Sequence, residues 1–165
     1  MAYAYERIEA MLAAAPAELS DLVHPLPAWT ATLRADRRRL AEWMCGSDMQ
    51  MLPTPRMPDS HAAWLGYLYV VIGSSLGSGN IAKRLAEHEV PAVREVRFFR
   101  LNASHASRFG RLIAHLDGLS GEAAVGELID GAKLGFSDFI SAANGVTSHA
   151  HRDQSIEQTA MAVSA

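Results

Sequence analysis

Gly73, Gly77 and Gly79 follow directly on the apolar run Tyr67 to Ile72, with Ser74, Ser75 and Ser78 set between them. Those residue types support two kinds of chemistry. A strand feeding a glycine loop would cradle phosphate on its backbone N–H groups. A single helix would instead expose bare backbone to a flat molecule or to another helix. The spacing G-x-x-x-G-x-G matches neither G-x-G-x-x-G nor G-x-x-x-x-G-K-[ST], and Lys83 lies too far past the last glycine to act as a P-loop lysine. The one other strand-like run, Val93 to Leu101, is interrupted by Arg94, Glu95, Arg97 and Arg100. Leu65, Leu68, Tyr69 and Ile72 recur at i, i+3, i+4 and i+7, and Leu76, Asn80, Ile81 and Leu85 roughly keep the period. The helical reading is therefore preferred. Glycine inside a helix costs roughly 0.5–1 kcal/mol against alanine, so these glycines need a compensating reason: close helix packing, the default, or close approach of a ligand.

Other reactive residues are less organised. No G-x-S-x-G elbow surrounds the serines, and hydroxyls on a helix bond back to the preceding turn. No H-E-x-x-H pair occurs among the histidines, and His149 and His151 lie near the end of the chain, so no metal site is expected. His24 stands beside Pro25. His61 falls in the first turn of the glycine-bearing helix, and His88 near its end suits the C-terminal dipole. His105 and His115 read as polar-face residues of a helix from Ser104 to Leu116.

The run Leu65-Gly66, Tyr69-Val70, Gly73-Ser74 and Leu76-Gly77 resembles the bacterial heme oxygenase signature L-G-x-L-Y-V-x-E-G-S-x-L-G-G. Arg38 to Trp43 resembles that family's R-x-x-L-x-x-D/E-L segment, Arg97-Phe98-Phe99 its R-F-F element, and Ala132 to Phe136 with Phe139 its last helix. The resemblance implies an all-α, heme oxygenase-like fold in which Trp64 to about His88 forms one kinked distal helix. It places Gly73, Ser74 and Gly77 at the reaction centre, and Tyr67, Tyr69, Arg108 and Arg111 beside heme and its propionates. The implied activity is oxidoreductase cleavage of heme to biliverdin, carbon monoxide and iron, with electrons from a separate reductase.

The departures from the family are specific. Its glutamate before the first glycine is Ile72 here, and the second glycine of its G-G pair is Ser78. Its opening helix L-R-x-x-T-x-x-x-H, whose histidine ligates the iron, has no counterpart before His24, and Met1 to Leu12 resembles its second helix. The expectation is a degenerate, non-catalytic binding or regulatory module with heme bound weakly or not at all. An active heme oxygenase is the alternative if an upstream histidine helix exists. A homodimer or a partner protein is expected to cover the face left by that helix, with Ile8, Met11 and Leu12 as contact residues.

The elements that must position these residues are helices. The chain has 165 residues, 49% of them hydrophobic, which suits one domain with a core. A net charge of -3 argues against nucleic acid as the main partner, and one cysteine, Cys45, excludes an internal disulfide and fits the cytoplasm. Met1 to Glu9 lacks the signal-peptide pattern of a basic stretch followed by an apolar core, and the run Ala62 to Ile72 is shorter than the roughly 20 residues a membrane span needs. Ile8, Met11, Leu12 and Ala15 form one apolar face, and Pro25 and Pro27 break the chain after it. Trp29, Leu33, Asp36, Leu40 and Trp43 carry the next helix, with Arg37, Arg38 and Arg39 on its solvated side. Met51 to Pro58 reads as an extended linker into a helix starting near Asp59 or Ser60. Val90-Pro91 marks a stop, and Val93 to Leu101 reads as a short strand or helix. Ser104 and Ser120 are expected to cap two further helices, the second sharing Val125, Leu128, Ile129, Ala132, Phe136, Phe139 and Ile140 on one face. The domain is expected over 1–145, followed by a disordered tail over 146–165.

Overall fold

A computed structural model describes residues 2–25, 27–41 and 56–141, and among them every regular element is helical. The order is α1 (Ala2–Ala13), a short 3-10 turn (Ala17–Leu19), α2 (Ser20–Val23), α3 (Trp29–Arg39), α4 (His61–Ala86), α5 (Pro91–Arg94), α6 (Phe98–Ala103), α7 (Arg108–Asp117) and α8 (122–141). None of the described helices is long and apolar enough to cross a membrane.

The central element is α4. Ser60 opens it from an extended backbone, its hydroxyl accepting the Ala63 N–H at 3.1 Å, and Lys83 and Arg84 sit in its last turn, where they offset the dipole. No proline interrupts it, so Tyr67 to Ile72 lies inside a helix. Around it pack α6, α7 and, through α6, the α1–α3 pair. Tyr5 of α1 meets Trp29, Phe98 and Phe139 edge-on with ring centroids 5.3, 4.9 and 5.8 Å away. Those contacts place Ile8, Met11 and Leu12 at 0%, 1% and 3% exposure in the core, which overturns the expectation that they line an intermolecular contact. The face of α1 that the sequence marks as apolar is covered by the chain itself.

Two helices begin without a cap of their own and borrow a carboxylate. Glu9 of α1 accepts the Thr30 N–H of α3 at 2.8 Å. Buried Asp36 of α3 accepts the Arg97 and Phe98 N–H groups at 2.9 and 2.8 Å, satisfying donors at the start of α6. This settles Val93 to Leu101 as two short helices rather than a strand. Ser104 closes α6 instead of opening the next helix: its hydroxyl bonds back to the Leu101 carbonyl at 2.6 Å, and α7 starts at Arg108.

Backbone meets backbone where α8 crosses α4. A Cβ on Gly131 would overlap the Ala63 carbonyl, and one on Gly66 would overlap the Leu128 carbonyl. A Cβ on Gly135 would stand 3.0 Å from the Val70 Cβ. Because glycines make the seam, the face expected to be core is turned aside. Val125, Ile129, Phe136 and Ile140 are exposed, whereas Leu128, Ala132 and Phe139 are half-buried. Trp43, Cys45, the first part of the proline linker and the tail over 146–165 lie outside the described residues.

Candidate functional site

On a helix of 3.6 residues per turn, Tyr69, Gly73, Leu76, Gly77 and Asn80 share one side of α4. That side is open. Tyr69 is 44% and Leu76 52% exposed; a Cβ on Gly73 would touch only the Phe109 ring, at 3.8 Å, and one on Gly77 would have nothing within 4 Å. Tyr69 leans on Phe109 of α7 with centroids 5.8 Å apart, and Ile113 follows one turn later, partly exposed. On the other flank, the Ala132 amide abuts Gly66, which sets the Ile129, Ala132 and Phe136 stripe of α8 along the same side of α4. Three helices thus frame one apolar face with bare backbone at its centre. Gly66 is explained by helix packing, whereas Gly73 and Gly77 are not.

The seven residues singled out in the sequence separate into different environments. Gly73, Gly77 and Tyr69 meet on the open face. Ser74 is turned away from it: its hydroxyl donates to the Val71 carbonyl at 2.7 Å, the back-bonded state expected of a helical serine, and accepts from the buried Asn102 amide at 3.4 Å. Tyr67 is turned into the interior, where its hydroxyl donates to Asp138 at 3.2 Å and Asp138 pairs with Arg7 at 2.9 Å. Burial, reinforced by the Asp138 charge, pushes the Tyr67 phenol far up, and burial also raises the Asp138 carboxyl. Arg108 is buried as well, donating to the carbonyls of Leu22, Val23 and Pro25 at 3.1, 2.8 and 2.7 Å. Its guanidinium is committed to holding the end of α2. Arg111 remains exposed on α7. Neither Ile72 nor Ser78 reaches the open face, since both are buried and Ser78 accepts from Asn102 at 2.9 Å.

The histidines stand elsewhere. His61 is the first residue of α4, His88 accepts the Val90 N–H on its Nδ1 at 3.1 Å, and His115 meets Asp21 at 3.2 Å. No group of three or more His, Cys, Asp or Glu that could hold a metal occurs among the described residues.

His105 is the residue that sequence reading misplaced. Its ring stands edge-on to Trp29 at 5.7 Å and lines a small interior cavity with Trp29, Asn102 and Arg108, into which it brings a buried Nε2 without a protein partner. The only local hint is that Asn102 and His105 are three residues apart, which puts them on one side of a helical turn. Burial, and then the Arg108 charge, hold the His105 imidazole below its ordinary range. The unfolded chain takes up that proton near about 6.5, the native chain only at lower pH. Its contribution to stability is therefore complete above about pH 6.5 and is lost as pH falls below it. In melts between about pH 7 and 5, His105→Gln should flatten the decline in Tm; an unchanged slope would assign the acid sensitivity to other groups.

No protein-family model, curated protein or solved structure matches the chain.

Proposed function

We propose that this chain is a heme oxygenase-like helical module that acts by binding, through the face framed by α4, α7 and α8, rather than by catalysis. The observation that carries this reading is the pair Gly73 and Gly77, which stand on open surface where no internal packing calls for glycine. An exposed helical glycine lowers stability, so a contact made outside the chain is the compensating term. The resemblance of Leu65 to Gly77 to the heme oxygenase signature supports the same residues.

The chemistry of the face fits one side of a planar apolar group and no more. Each described histidine is placed away from it: His61 is 12 positions before Gly73, about 18 Å along the helix, and His105 faces the interior cavity. Arg108, a candidate partner for a propionate, is occupied by carbonyls. Among the described residues the face offers iron no histidine, so it does not fit a histidine-ligated heme.

Hemin titrated into the chain and followed at the Soret band should give weak uptake without the spectrum of a histidine-bound iron. A tight one-to-one complex lost on replacing a single histidine would reverse the reading in favour of an active heme oxygenase.

A further inference from the structure

We infer that the occupant of the open face is a second copy of this chain, packed face to face about a two-fold axis that passes close to Tyr69. The inference rests on the reading of this face as a contact surface and names what makes the contact. Size is the first argument. Tyr69, Leu76, Ile113, Ile129, Phe136 and Ile140 are between 37% and 57% exposed. At roughly 200 Å2 for a fully exposed large apolar side chain they present about 580 Å2 of apolar surface. That lies at the upper end of what a monomer leaves in water, about 300–600 Å2. A standard interface takes about 800 Å2 from each partner, roughly 60% of it apolar, so the face supplies the apolar area that one side of such a dimer needs.

Charge supplies the orientation. Gly131 meets Ala63 and Gly135 meets Val70, so α4 and α8 run in the same direction across the face. Glu122 then stands at one end of it, at the start of α8, and Lys83 and Arg84 at the other, in the last turn of α4. In the register set by Gly131 and Gly135, Glu122 and Arg84 lie about equally far from Tyr69, roughly 20 Å to either side. A two-fold axis at Tyr69 therefore brings the acidic end of each copy onto the basic end of the other, an isologous and self-complementary contact. Within it, Gly73 and Gly77 present bare backbone, which lets the opposing helices approach as closely as Gly66 and Gly131 do inside the chain.

Sedimentation of the full chain at about 10 μM should show a dimer. Tyr69→Glu should give a monomer with unchanged helical content, because this side chain is exposed and its loss leaves the core intact. Arg84→Glu and Glu122→Arg should each weaken association about tenfold, and the double reversal should restore it. A monomer at about 100 μM overturns the inference, whether the face then takes hemin, a different protein or the chain's own flanking residues. So does a dimer indifferent to Tyr69→Glu, or one that the double reversal fails to recover. The sedimentation result is independent of the hemin titration, so the dimer can fail while the binding role of the face stands.

Discussion

Gly131→Ala should lower stability by about 3 kcal/mol, and Gly66→Ala by a similar amount, although alanine is the better helix former. The new methyl group at Gly131 would coincide with the Ala63 carbonyl, and the one at Gly66 with the Leu128 carbonyl. Both obstacles are backbone of the facing helix, which cannot rotate aside as a side chain can. The helices must part, which opens gaps along a seam that includes the tight Gly135 to Val70 approach. For a chain of this length the change corresponds to a fall in Tm of about 10 °C. Gly126→Ala, on α8 but outside its seam with α4, is the control, since nothing stands within 4 Å of its added Cβ. It should raise stability by roughly 0.5–1 kcal/mol through helix propensity alone. Thermal melts followed by circular dichroism read all three. If Gly131→Ala melts with the parent, the backbone-to-backbone crossing is not how α8 docks.

That contrast also marks the boundary of what the sequence discloses. Periodicity locates α4 from its Ser60 cap onward, because a cap and a 3.6-residue repeat are local signals. The same signal marks Val125, Ile129, Phe136 and Ile140 as one stripe, yet cannot say whether anything covers it. Core is the usual destination of such a stripe, and here the seam goes to Gly131 and Gly135 instead. Partners distant in the chain account for the rest. Asp36 fixes α6 from 61 positions away, and no feature within Val93 to Leu101 reveals that its leading N–H groups are capped. Tyr67 and Tyr69 look equivalent in the sequence, but two residues on a helix are 200° apart, so one phenol meets Asp138 in the interior and the other stands on the open face. The candidate site was thus legible as a helix with a glycine side, and its inward-facing members were not.

Arg108→Met should destabilise the chain by about 3 kcal/mol and leave hemin uptake no weaker than in the parent. Leu22 and Val23 end α2, where helix carbonyls have no partner of their own, and Pro25 adds a third carbonyl that points at the same guanidinium. A cation there also offsets the negative end of the helix dipole. Methionine fills a comparable volume but donates nothing, so three carbonyls lose a charged donor, one or more of them in a buried setting. Arg108→Lys should recover only part of the loss. An ammonium is a compact point charge, and its geometry does not reproduce a planar fork shared between the ends of Val23 and Pro25. The expected order of Tm is therefore parent, then Arg108→Lys, then Arg108→Met. The resemblance to heme oxygenase implies a different result: as a propionate partner, Arg108 would be nearly neutral for stability, and its loss would weaken hemin uptake. A parent-like melt together with reduced uptake would move Arg108 from the scaffold to the binding face.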